Sequence, residues 1–466
     1  MRHLRSRVAV VALVLIGAVL VRAQDVRETY QTYCATCHGA QLDGGLGGNL
    51  VDDTWKYGAD DDSLTRVIRE GVLDAGMPAF GAALDDAQVR GLVVYIREMG
   101  ARAAAAQTTF NRPTPETVTI SEVQRFRLEV ITDHLEIPWS LAFLPDGRLL
   151  VTERAGRLRV ITNGRLESEP IAGTPEVWAR SQGGLLSVAV HPDFAENGWI
   201  YLAFSDPGPG GSAMTAIVRG RLRDGRWVDQ EDVFRIPAPF YKRGGVHFGC
   251  RMVLHDGYLF FTHGERGTAT DAQDLSRPNG KVHRVHDDGR VPADNPFVGR
   301  GDAFATIWTY GNRNPQGLAR EPATGTLWET EHGPRGGDEL NVIERGRNYG
   351  WPVITYGMNY NGTPITGETA RDGMEQPVVH WTPSIAVGDI AFYEGDAFPA
   401  WRGNLFVTAL AAEELRRLVI ADGRVTHQEV LFKGIGRIRS VVTGPDGALY
   451  LGLEGPGRVV RLVPAE

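Results

Sequence analysis

Five consecutive residues, Cys34-Ala35-Thr36-Cys37-His38, carry the most specific chemistry in this 466-residue chain. Two thiols separated by two residues and followed at once by an imidazole have the attachment spacing of haem c: both sulfurs bond the macrocycle and the histidine takes the iron from one face. A sixth ligand must then reach the opposite face from a loop. Met77, in Gly76-Met77-Pro78, is placed to do so, because residues 24–100 hold only one other methionine, Met99, and that one falls in a helical pattern. A thioether raises the iron potential relative to a second histidine, which suits an electron acceptor. Cys250 is the third and last cysteine; three are too few for a disulfide framework, and it reads as a small buried residue.

The elements that must hold this motif are short and helical. Residues 25–33 can form a helix ending at the motif. Residues 85–99 can form a second one: Val89, Leu92, Val93 and Ile96 recur at helical spacing, Asp85 with Gln88 resembles a capping box, and Gly100 is placed to stop it. Residues 24–100 therefore read as one small helical domain. Residues 101–122, an alanine run followed by Thr, Asn, Pro113 and Pro115, read as a semi-rigid tether.

From residue 123 to 466 the pattern is β. A turn glycine opening an apolar strand recurs at Gly147, Gly198, Gly257, Gly325, Gly403 and Gly447, with units 44 to 78 residues apart. Six units near blade length predict a six-bladed β-propeller with long loops inserted in its middle blades. Between its strands lie polar clusters at residues 247–251, 264–265, 310–317, 331–339 and 437–439. Their cationic groups suit a polyanionic ligand, His with a carboxylate suits a general base, and Gly-Pro carbonyls suit a hard cation.

The segments Gln182-Gly183-Gly184-Leu185-Leu186, His247-Phe248-Gly249, Gly311 to Gly317, Glu331 to Asn341, Asn348-Tyr349-Gly350-Trp351-Pro352 and Arg437-Ile438-Arg439 resemble the soluble glucose dehydrogenase and aldose sugar dehydrogenase family, which uses pyrroloquinoline quinone (PQQ) and calcium. Residues 24–100 resemble a small class I cytochrome c. The combined resemblance implies a small all-α cytochrome c domain joined to an all-β six-bladed β-propeller. It implies that His247 takes the sugar hydroxyl proton and that Glu265 orients it. Arg313 and Asn314 would bond the quinone oxygens, Arg437 and Arg439 its carboxylates, and Gln182 would contact substrate or cofactor. Gly333 and Pro334 would offer backbone oxygens to the cofactor's calcium, and Glu339 and Tyr349 match positions near a second calcium. Two positions depart from the family pattern: Val246 replaces a polar sugar contact, and Ala411 stands where a cofactor-binding lysine is expected.

Residues 1–23 have a basic start, an apolar run from 8 to 21 and small or apolar residues at Val21 and Ala23. They read as a secretory signal peptide, with an uncleaved anchor as the alternative; the run is shorter than the ~20 residues that span a bilayer. The formal charge of −8 becomes −12 without the four arginines of that leader, which argues against nucleic acid as a partner. The expected protein is periplasmic or secreted, has no stable membrane span after cleavage, oxidises an aldose or related cyclic alcohol to the lactone or ketone, and passes electrons through its haem to a downstream acceptor of the respiratory chain. Two other readings stay open: a calcium-dependent lactonase or hydrolase, and a cofactor-free binding or sensor propeller beside an electron-transfer cytochrome.

Overall fold

The computed structural model describes residues 25–52 and 54–465; the expected leader lies outside the described residues. Asp25 caps helix α1 (Val26–Tyr33), which runs straight into a one-turn helix α2 (Ala35–His38) carrying the thiol and imidazole motif. Helix α4 (Asp86–Gln107) starts on the full Asp85/Gln88 capping box. Between them stands helix α3 (Asp61–Glu70), which the sequence reading missed. Its signal was present in the Asp60 cap and in Leu64 and Ile68, one turn apart and both buried in a common core with α1 and α4.

Gly100 does not stop α4. A mid-helix glycine costs about 1 kcal/mol, and the alanines that follow, Ala101 and Ala103 to Ala106, are the best helix formers, so the helix runs on to Gln107. The segment read as a tether is thus helical at its start. It is also docked at its end: Asn111 accepts from the Lys433 backbone amide at 2.9 Å, and Thr119–Ile120 joins a sheet by pairing with residues 125–126.

The remaining chain folds into six antiparallel sheets arranged as propeller blades, at residues 138–166, 185–234, 252–310, 315–381, 387–433 and 437–464. Each recurrent turn glycine opens the second strand of one blade, as in Leu149–Glu153 of blade 1 and Leu449–Gly455 of blade 6. Glycine is required at such a turn; Gly147 and Gly447 have φ of 85° and 74°. The last blade borrows the strand Arg125–Thr132 from the start of the domain, which pairs with Arg458–Pro464 and closes the ring. The apolar core lies between neighbouring blades: Leu150 and Val160 of blade 1 cluster with Leu202, Phe204 and Val218 of blade 2. The first strands of the blades surround the central axis, and the loops beside them carry the polar clusters.

Candidate active site

His247 sits in the left-handed region, at φ 53°, a conformation that costs a non-glycine residue on the order of 1 kcal/mol or more and needs support from its surroundings. Gln182 supplies part of it, accepting from the His247 backbone amide at 2.7 Å. Arg266 supplies more: its buried guanidinium donates to the carbonyls of Val246, Ala213 and Gly244 and lies over the Phe248 ring at 3.5 Å. The His247 ring donates Nδ1–H to Glu265 Oε1, which leaves Nε2 as the lone-pair nitrogen. Burial lowers the His247 pKa; the Glu265 hydrogen bond raises it, and the positive charge of Arg313 and Arg266 lowers it again, for a net value below the usual 6.5. The imidazole is therefore a neutral base at neutral pH.

The backbone carries the other expected residues to the same place. Glu265 N donates to Arg313 O at 2.9 Å, and His332 N donates to Asn314 O at 3.2 Å. Asn314 Oδ1 accepts from Gly249 N and from Gln316 Nε2. Gln182, Asn314, Arg437 and Arg439 line one pocket of about 150 Å³. Arg313, Gly333, Glu339 and Tyr349 line a smaller one beside it, and His332 borders both. Pro334 lines neither. Arg313 Nη1 donates to the carbonyls of His332 and Gly333, at 2.9 and 2.8 Å.

The two pockets differ in charge. Arg437 and Arg439 both pair with Glu454, each at 2.9 Å. Burial works against that carboxylate, but the two arginines outweigh it and hold it down at about 2. In the smaller pocket Glu331 and Glu339 face each other across neighbouring strands. Burial pushes Glu339 up to about 7 and Glu331 well above the usual carboxylate range, with its acidic neighbours adding to it. Burial likewise takes His332 down to about 3. Among the described residues no three His, Cys, Asp or Glu side chains converge on a metal position, so a cation here would need backbone oxygens. The Tyr349 hydroxyl is already spent, donating to Val342 O and accepting from Glu344 N. Arg266 and Glu454 were missed in the sequence. The first had only its place beside Glu265 to mark it, and the second is brought to Arg439 by a register that no local pattern reveals.

In the helical domain His38 Nδ1 donates to Gly48 O at 2.8 Å, which fixes the tautomer and leaves Nε2 free to take a metal. Gly47 packs against that ring so closely that a Cβ would lie 2.8 Å from it. Met77 and Cys34 pack against the same apolar cluster, and Met77 is held by two backbone hydrogen bonds to Val72.

The family model for glucose/sorbosone dehydrogenases matches residues 135–461. The chain belongs to that family. It is an oxidoreductase with a cytochrome c domain: a second model, for subunit III of cbb3-type cytochrome c oxidase, matches residues 21–96. The aldose sugar dehydrogenase YliI of Escherichia coli is 45% identical over 346 residues, 72% of this chain and 92% of that one. The PQQ-bound aldose sugar dehydrogenase of Streptomyces coelicolor superposes with a TM-score of 0.59 at 26% identity, over 76% of this chain and 99% of that one. Subunit CcoP of the cbb3-type oxidase of Azospirillum brasilense is 34% identical over 85 residues, 17% of this chain and 28% of that one.

Glu454 gives a test of the dehydrogenase pocket that needs no ligand. A carboxylate depressed in the fold contributes stability above its unfolded pKa and loses it as pH falls toward the folded one. Glu454→Gln should therefore destabilise the protein at pH 7 by on the order of 2–3 kcal/mol, and the deficit should shrink as urea titrations move from pH 5 to pH 3. A deficit independent of pH would show that Glu454 acts by packing alone.

Proposed function

We propose that this dehydrogenase is a periplasmic or secreted quinohaemoprotein that oxidises an aldose, or a related cyclic alcohol, at PQQ and passes the electrons to its own haem c and on to a respiratory acceptor. The observation that carries this reading is the His247–Glu265 pair, with a free imidazole nitrogen, standing beside a pocket that holds three arginines and three amide side chains. The residues fit such a cofactor. Buried atoms without a partner, Arg313 Nε, Arg439 Nε and His332 Nε2, belong to the pocket linings, and Gly333, where a Cβ would lie 2.2 Å from Gly337 O, keeps a carbonyl corner open only to glycine. Arg437 and Arg439 would hold carboxylates, Arg313 and Asn314 the quinone oxygens, and the backbone oxygens of Gly333 and Pro334 a calcium ion, with Glu339 and Tyr349 near a second one. In the helical domain Cys34 and Cys37 would bond the haem, with His38 and Met77 on its iron.

Bound there, the quinone would supply the hydride acceptor and the calcium its polarisation. The chain supplies the proton chemistry. His247 Nε2 takes the hydroxyl proton of the sugar, Glu265 stabilises the imidazolium that forms, and Gln182 and Arg266 keep the ring in the one backbone conformation that aims it. Glu331 and Glu339 stand side by side in the smaller pocket, where burial opposes their ionisation and a bound cation would favour it.

His247→Ala should lower kcat by about 10²–10⁴-fold with cofactor still bound, and the acid limb of kcat/KM in the parent should lie below pH 6.5; near-normal turnover in the variant would remove the base from this account. Met77→Ala should abolish the long-wavelength Met-to-iron charge-transfer band and lower the haem potential, measured by redox titration; an unchanged band would assign the ligand elsewhere. Ala411 carries the third expectation. The cations nearest in sequence do not take the place of the missing lysine: Arg416 and Lys433 both pair with Glu414, and Arg417 with Glu429 and Glu122. Ala411→Lys should therefore tighten PQQ roughly 10- to 150-fold in a fluorescence titration of apo-protein, and no saturable binding in either protein would favour the sensor reading.

A further inference from the structure

Blade 4 carries a long insert between its strands Asp338–Ile343 and Val379–Trp381, and that insert cradles the helical domain. Met358, 1% exposed, belongs to the apolar core formed by α1, α3 and α4 rather than to a blade. Val26 N donates to Gly362 O at 3.0 Å. Gly367 lies so near the first turn of α4 that a Cβ would come within 2.4 Å of Asp86 Cβ. Arg90 of α4, 4% exposed, bonds Asp61 within its own domain and Tyr356 O of the insert, both at 2.7 Å.

At the centre is a forked ion pair. Arg335 presents Nε and Nη2 to the two oxygens of Glu98 on α4, at 2.8 and 2.7 Å, with Glu98 only 6% exposed. Two parallel charge-assisted bonds in a shielded place are strong and directional, and removal of Arg335 leaves the buried charge of Glu98 alone. Arg335 also exchanges backbone hydrogen bonds with Met358 in both directions, at 2.9 and 3.0 Å, and directly follows Gly333-Pro334.

We propose that the helical domain is seated permanently on the propeller, with the blade 4 insert as its receptor and Arg335–Glu98 as the central contact, and that it does not swing on a flexible tether. The seat lies one residue from the turn assigned to the calcium, so the two redox domains form one rigid unit. This inference concerns the seating alone and stands or falls independently of the quinone reading.

The test cuts the covalent connection. A protease site inserted in the full chain between the exposed residues Thr108 and Thr109, cleaved after purification, leaves the seat as the main bond between the pieces. Gel filtration at micromolar concentration should return one species containing both. Arg335→Glu should weaken the association by about 30-fold or more and separate them, and adding Glu98→Arg should rejoin them. Should Arg335→Glu fail to fold, Glu98→Gln gives the same separation from the other side of the pair. Separation of the nicked parent overturns the seat. Co-elution of the nicked Arg335→Glu or Glu98→Gln protein, or failure of the double exchange to rejoin the pieces, overturns the ion pair as its centre.

Discussion

Everything in the propeller hangs on a charge buried at its axis. Arg251, wholly enclosed, pairs with Asp389 of blade 5 at 3.0 Å and donates to Ser140 Oγ of blade 1 and Gln316 O of blade 4, while its guanidinium lies over Trp139 at 4.5 Å. Burial lowers the arginine and pushes Asp389 up to about 6; each is tolerable only because the other is there. Asp389 Oδ2 also accepts from Val441 N of blade 6. One ion pair thus links blades 1, 4, 5 and 6 through buried polar contacts.

The site is built directly upon this hub. Gln316, whose carbonyl meets Arg251, also works through its side chain: Oε1 accepts from Arg439 Nη1 at 2.8 Å and Nε2 donates to Asn314 Oδ1 at 3.1 Å. Asn314 in turn holds Gly249, two residues from His247. The position of the base is therefore fixed from below by the axis and from the side by Arg266. That is how a residue at φ 53° keeps one geometry: the strain is local and its restraints reach three blades. Rigidity of this kind is what a general base needs, since a proton is transferred only at hydrogen-bond range.

Legibility in the sequence followed the range of the interactions. The helix before the Cys-x-x-Cys-His motif, the capping box and the six turn glycines are local, each decided by residues within a few positions, and each could be read directly. The polar clusters of the dyad and the arginine pair were readable because they sit at recurring places beside blade strands. What stayed hidden depends on registers and on contacts between distant segments: Glu454 beneath two arginines, Arg251 against Asp389, Arg335 reaching back 237 residues to Glu98. Helix α4 went wrong for the opposite reason. The local stop at Gly100 was real but weak, and the propensity of the alanines beyond it outweighed it.

Charge balance decides what the larger pocket can recognise. Three arginines, Arg154, Arg437 and Arg439, against one buried Glu454 leave a surplus of two positive charges, while the neighbouring cations Arg416 and Lys433 are consumed by Glu414. That surplus suits a ligand bearing more than one carboxylate. The smaller pocket sets the Arg313 guanidinium beside Glu331 and Glu339, whose ionisation burial opposes. A divalent cation there would let those acids ionise. A cation bound beside them would raise the affinity for an anion in the neighbouring pocket by the same factor as the anion would raise the cation's.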